Sequence, residues 1–176
     1  IRDLRQQVSY NASEHGGHVW LISPETGLEI TFQEAAERVQ AVAANLKAFG
    51  LQEGDRVAVA SQNCIGCCLT FMGIVYGGFV AVPLNLVAGT KTIEYIVNHS
   101  EAKLIFVADH CADEIDNALK GIDRDVTRVP LQYEAGPCWD QLDINAGNEH
   151  TDLDPDLTAD TVGLLMYTSG TTGNPK

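Results

Sequence analysis

Positive charge is scarce in this chain. Its 176 residues carry 11 Lys and Arg against 24 Asp and Glu, a formal net charge of −13. That balance argues against a nucleic-acid backbone or an anionic membrane as the main partner. It leaves room for a nucleotide, which needs only a local cradle of backbone N–H groups. The cysteines Cys64, Cys67, Cys68, Cys111 and Cys138 are odd in number and lack framework spacing. This speaks against a secreted disulfide scaffold and for a reducing, cytoplasmic setting. Arg2, Asp3 and Arg5 follow Ile1 closely, and no apolar signal-peptide region comes after them. Charge is missing altogether between Arg56 and Lys91. Within that stretch, Cys64 to Leu84 passes a crude length test for a membrane span. Gly66, Gly73, Gly77, Gly78 and Pro83 interrupt it, however. A buried helix followed by a buried strand is expected there, and no membrane span.

What is present suits a globular domain. Hydrophobic residues make up 45% and charged residues 20% of the chain, far from a disordered composition. The length fits one domain, or one and a part. Val19–Ser23 and Leu28–Thr31 read as a β-hairpin around the turn Pro24-Glu25-Thr26-Gly27. Phe32, Ala35, Ala36, Val39, Val42, Ala43, Leu46 and Phe49 then form one apolar helical stripe. Thr31 and Glu34 supply a capping box at its start, and Gly50 suits its end. Strands are expected at Val57–Ala60, Phe79–Leu84, Leu104–Ala108, Val126–Leu131 and Val162–Tyr167. Helices are expected at Cys64–Tyr76, around Ile93, Ile96 and Val97 with Thr92 as cap, and around Ile115, Ala118, Leu119 and Ile122. The acidic stretch from Glu134 to Asp160 reads as a loop with one amphipathic turn near Trp139 and Leu142. Strands and helices alternate at the spacing of βα units, and the strands are apolar runs. The fold class is α/β: a doubly wound, mostly parallel sheet with helices on both faces, preceded by a β-hairpin. Ligands of such sheets bind beyond the carboxyl ends of the strands.

The last expected strand runs into Tyr167-Thr168-Ser169-Gly170-Thr171-Thr172-Gly173-Asn174-Pro175-Lys176. Four aliphatic hydroxyls, two glycines and a lysine in one loop have the chemistry of a phosphate cradle. The glycines let the backbone approach an anion closely. Successive N–H groups and short hydroxyls converge on phosphate oxygens, and the lysine adds a point charge. The loop is not a Walker A sequence, because Pro175 stands where the second glycine is needed. Nor does any glycine group match G-x-G-x-x-G.

This stretch resembles the signature Y-T-S-G-T-T-G-x-P-K of the adenylate-forming (AMP-binding) enzymes, a superfamily that includes acyl-CoA synthetases, adenylation domains of peptide synthetases and firefly luciferase. Ile30-Thr31-Phe32-Gln33-Glu34-Ala35 resembles the family's first core motif, L-T-Y-x-E-L. Tyr76-Gly77-Gly78-Phe79-Val80-Ala81-Val82-Pro83-Leu84-Asn85 resembles the second, K-A-G-A-x-x-V-P-L-[DN]. Gly54-Asp55-Arg56-Val57 is also familiar in these proteins. The resemblance implies a two-step reaction. A carboxylate attacks the α-phosphate of ATP, releasing pyrophosphate, and a thiol such as coenzyme A then takes the acyl group from the adenylate. Mg2+ accompanies the nucleotide. By resemblance, Thr168, Ser169, Gly170, Thr171, Thr172, Gly173 and Lys176 close over the β- and γ-phosphates. Asn85 favours the acyl- and aryl-CoA synthetases over the amino-acid adenylation domains, where Asp is usual.

The chain stops at Lys176, and the family's later motifs, acyl pocket and small C-terminal domain have no counterpart in it. The expected organisation is an N-terminal segment, 1–18, and the N-terminal part of an AMP-binding domain, 19–176. Such a fragment is expected to be inactive alone, to pack against the remaining part of its own chain, and to self-associate without it. A second class remains open at this stage, a non-catalytic nucleotide-binding or interaction domain.

Other signals favour plainer readings. Cys64, Cys67 and Cys68 form a C-x-x-C-C cluster, read as small buried helix residues ahead of zinc or redox chemistry. His15 and His18 read as solvated loop residues, and His110 beside Cys111 as no nucleophile pair. His99 and His150 carry no signal. Asp152, Asp154 and Asp156 lack the glycine and distal Glu of a calcium loop. Trp20 and Trp139 read as packing residues. No catalytic residue and no metal ligand is assigned.

Overall fold

The computed structural model describes residues 3–141, 157–158 and 160–168. The chain opens with helix α1 (Leu4–His15), capped by the Asp3 side chain, which accepts from Gln6 N at 2.8 Å. The sequence pattern assigns this segment no element. Its only apolar positions on one face, Leu4, Val8 and Ala12, are four apart and pack on the following helix. The strands β1 (Val19–Ile22) and β2 (Glu29–Thr31) pair antiparallel as the expected hairpin.

Helix α2 (Phe32–Ala48) follows without a break. Thr31 Oγ1 accepts from Glu34 N at 3.2 Å, and Glu34 Oε2 accepts from Thr31 N at 2.8 Å. Both halves of the capping box are therefore made. The Thr31 backbone and hydroxyl donors hold the Glu34 carboxyl below its usual range. At the far end Gly50 takes φ +100°, and Leu51 N reaches back to Leu46 O at 3.2 Å.

The βα alternation then builds the sheet from β3 (Arg56–Ala60), β4 (Val80–Pro83), β5 (Leu104–Ala108), β6 (Thr127–Gln132) and β7 (Gly136–Pro137). Helices α3 (Ile65–Tyr76), α4 (Thr90–Ser100) and α5 (Ala112–Leu119) connect the parallel members. The strand order is β4-β3-β5-β6-β7, parallel except for the β6–β7 pair. Successive side chains of a strand point to opposite faces. Val57, Val59, Leu104 and Phe106 pack toward α2 and α3. Ala58, Ala60, Ile105 and Val107 pack toward α4 and α5. Helices cover both faces, which is why β3 and β5 read as unbroken apolar runs. Each fully buried Leu, Ile or Phe contributes roughly 1.5–3 kcal/mol relative to exposure.

The uncharged stretch divides as expected into a buried helix and a buried strand, α3 and β4. Among the described residues no helix is long and apolar enough to cross a membrane. Gly73 lets α3 lie against α2, since a Cβ there would overlap Val42 and stand 2.9 Å from Val39 O. Gly54-Asp55-Arg56-Val57 proves to be a strand entry. Gly54 takes φ +78°, and buried Asp55 accepts from Gln52 N and pairs with Lys103 at 2.7 Å. Arg56 donates to Ser100 O at 2.7 Å and pairs with Glu101.

Three local expectations are corrected. Thr92 does not cap α4. Gly89, at φ +82°, is the N-cap, and its carbonyl receives Thr92 N and Ile93 N at 3.0 and 3.1 Å. Only glycine adopts that backbone cheaply, so the helix starts three residues early. Residues after Glu134 are not all loop, because the turn Tyr133–Ala135 returns the chain as β7 beside β6. Trp139 then packs edge-on against Phe106, and Trp20 stacks on Phe32, both as packing residues. The third correction, at 162–167, concerns the site.

Candidate functional site

The segment leading into the glycine-rich loop is extended but is not a full strand. It makes one parallel bridge, Ala81 with Leu164, on the outer side of β4. Ala81 N donates to Gly163 O at 3.0 Å and Leu165 N donates to Ala81 O at 2.9 Å. The next rung would need an N–H from Pro83, which has none. The ladder therefore stops where a strand to Tyr167 was expected.

The side chains still alternate as on a strand. Leu165 and Tyr167 turn inward onto the α4–α5 core. Val162, Leu164 and Met166 turn outward and are 64, 42 and 62% exposed. Tyr167, first residue of the signature, is clamped by α4. Its Oη lies 2.8 Å from His99 Nδ1, and its ring meets the His99 ring edge-on at 5.7 Å. His99 in turn stacks on Tyr95, one helical turn earlier. Burial, with Tyr95 beside it, pushes the Tyr167 phenol above its usual range, so its proton stays in place. His99 was not singled out from sequence. The only available cue was its i, i+4 spacing from Tyr95, which is common on any helix.

Because this segment runs parallel to β4, Thr168 leaves the sheet at its carboxyl end. It shares that end with the loops after β3 (61–64), β4 (84–89) and β5 (109–111). Strand order reverses at β3, whose neighbours are β4 and β5, and doubly wound sheets bind ligands at such an end. Thr168 is exposed there. Ser169, Gly170, Thr171, Thr172, Gly173 and Lys176 lie outside the described residues, as do His150, Asp152, Asp154 and Asp156. Asn85 caps the short turn after β4, accepting from Val87 N at 3.2 Å. Cys111 is buried and donates to Ala60 O and Ala108 O, while His110 is exposed, so the two form no reactive pair. His15 and His18 are exposed and stacked on each other, His15 closing α1 and not lying in a loop. Among the described residues no group of three or more His, Cys, Asp or Glu could hold a metal ion.

A family model described as "AMP-binding enzyme" matches residues 8–176. The chain belongs to the AMP-binding enzyme family. Among curated relatives of this AMP-binding chain, the feruloyl-CoA synthase of an Amycolatopsis species is 32% identical over 176 residues, covering 100% of this chain and 31% of that protein. The sulfoacetate–CoA ligase of Cupriavidus necator is 29% identical over 173 residues, covering 98% and 33%. The solved structure of ATP-bound MatB from Rhodopseudomonas palustris superposes with a TM-score of 0.77 at 25% identity, covering 98% of this chain and 33% of that one. The chain thus spans about a third of the length of the relatives it matches. The family match and the fold agree with the resemblance drawn from sequence.

Proposed function

We propose that this chain is the N-terminal part of an ATP-dependent acid–thiol ligase of the acyl-CoA synthetase type, and that residues 168–176 are its pyrophosphate cradle. The observation that carries this reading is the placement of Thr168. The signature begins at the carboxyl end of the sheet, on a root fixed by Ala81 and His99. Thr168, Ser169, Thr171 and Thr172 offer hydroxyls to the β- and γ-phosphates of ATP. Gly170 and Gly173 bring backbone N–H groups close, and Lys176 offsets charge on the departing pyrophosphate. Mg2+ arrives with the nucleotide's phosphates, which supply much of its coordination. The thiol acceptor is coenzyme A, in keeping with relatives named as CoA ligases. The setting is cytoplasmic, consistent with five free cysteines.

Carboxylate-dependent ATP–pyrophosphate exchange tests this reading. The full-length polypeptide is expected to exchange, and residues 1–176 alone are expected not to, with any carboxylate. Robust exchange by the short chain would overturn the division of labour. We also propose that the outward strip Val162, Leu164 and Met166 is covered by the remainder of the polypeptide. Residues 1–176 alone should therefore self-associate. A clean monomer in sedimentation velocity at tens of micromolar would count against that.

A further inference from the structure

Three thiols gather where β3 hands over to α3, and ligase chemistry gives them no task. Cys67 and Cys68 lie in α3, as expected from sequence, but Cys64 does not, and none of the three is fully buried. Cys64 stands before the helix as its N-cap, in extended backbone at φ −161° and ψ 169°. Cys64, Cys67 and Cys68 are all only partly buried. The Cys64 Sγ accepts the backbone N–H of Cys67 at 3.2 Å. Ser61 Oγ lies 3.7 Å from the same sulfur. A sulfur seated on Cys67 N is adjacent to the Cα from which the Cys67 side chain springs. One turn of helix also keeps the two Cα atoms within the separation a disulfide spans.

The two thiols are unequal. Cys64 lines the wall of a 270 Å³ surface cavity with Ile22, Pro24, Asn63, Cys68 and Tyr133, so small molecules reach it. A backbone N–H already points at its sulfur, the arrangement of an attacking cysteine at a helix N-terminus. Burial, then the neighbouring Cys64, pushes the Cys67 thiol up to about 11. Cys67 is therefore the poorer first nucleophile of the pair. Cys111 is sealed in the core with both hydrogen bonds made to carbonyls.

We propose that Cys64 and Cys67 are a reversible oxidation site that closes to an intrachain disulfide under peroxide. The Cys64 sulfur attacks the O–O bond, giving a sulfenic acid and one water. The Cys67 sulfur then attacks the Cys64 sulfur, the S–OH bond breaks, and a second water leaves with the Cys67 proton. Two thiols and one hydrogen peroxide thus become one disulfide and two waters. This inference does not depend on the ligase reading.

The tryptic peptide 57–91 contains Cys64, Cys67 and Cys68 and no internal Lys or Arg, so one fragment reports the outcome. The reduced protein is treated with a slight excess of hydrogen peroxide, free thiols are alkylated, and the peptide is fragmented in a mass spectrometer. The expected product has Cys68 alkylated and a two-hydrogen mass loss confined to Cys64–Cys67, reversed by dithiothreitol. Cys64→Ser should abolish the bridge and Cys68→Ser should keep it. In Cys67→Ser, dimedone should trap Cys64 as the sulfenic acid. Before oxidation, Cys64 should be alkylated at least about ten-fold faster than Cys67 at pH 8. Three alkylated cysteines after peroxide, a bridge involving Cys68, a bridge between two chains, or equal alkylation rates would overturn the proposal.

Discussion

Lys176→Ala in the full-length ligase should lower kcat/KM for ATP by about 10²–10³-fold and leave the KM for the carboxylate nearly unchanged. The reason is where charge develops. In the proposed reaction the carboxylate oxygen attacks the α-phosphorus, and negative charge moves onto the pyrophosphate that is leaving. A lysine ammonium is a compact point charge that can follow either the β- or the γ-phosphate. The proposed backbone N–H contacts would remain in the variant, so binding of ATP should fall less than turnover. Lys176→Arg keeps the charge but replaces the point charge with a planar fork, and should recover only part of the loss. Steady-state exchange kinetics at varied ATP and varied carboxylate check this. An unchanged ATP dependence in Lys176→Ala would remove Lys176 from the cradle.

Gly66→Ala is expected to be the most damaging single-methyl change among the described glycines. Gly66 sits in the first turn of α3, where that turn rests on the β6–β7 hairpin. Its N–H donates to Tyr133 O at 2.8 Å, and its own carbonyl receives the Thr70 hydroxyl at 2.6 Å. A Cβ there would overlap Gln132 O and stand 2.9 Å from Tyr133 O and 3.0 Å from Gly136 N. All three obstacles are backbone, so no side chain can swing aside. Relief requires α3 to lift from the sheet edge, which breaks the Gly66–Tyr133 bond. The cost is expected to reach about 3 kcal/mol, a fall in Tm of about 6–12 °C for a chain of this size. Gly17→Ala is the control, because a Cβ there meets nothing within 4 Å, and should stay within about 0.5 kcal/mol. Thermal melts of the two variants decide the matter, and equal melting temperatures would contradict the close approach.

Much of this was legible in the residues because the signals were local. The capping box at Thr31 and Glu34 needs only one turn of chain, and the apolar stripe of α2 repeats five times. The βα alternation showed itself through Gly-punctuated apolar runs. What escaped was decided by distant contacts. Helix α1 has three apolar residues on a polar sequence and acquires its place from α2. Strand β7 is two residues long and exists through its register with β6. The expected strand at 162–167 failed for a reason visible only across the sheet, the missing N–H of Pro83. At the proposed site the sequence was the richer source: the signature names the candidate residues, while the geometry supplies the root and its unforeseen anchor, His99. The cysteine cluster went the other way. Its spacing was plain, but the capping geometry at Cys64 was needed to separate an attacking thiol from a packed one.

The most direct test of the central claim follows oxygen. The full-length protein is supplied with ATP, coenzyme A and a carboxylate labelled with oxygen-18, chosen from those that support pyrophosphate exchange. If the carboxylate attacks the α-phosphorus and the thiol then attacks the acyl carbon, one labelled oxygen must remain on AMP, with unlabelled pyrophosphate as the other product. Label found in inorganic phosphate beside ADP, or AMP that carries none, would mean that no acyl-adenylate forms and would contradict the account.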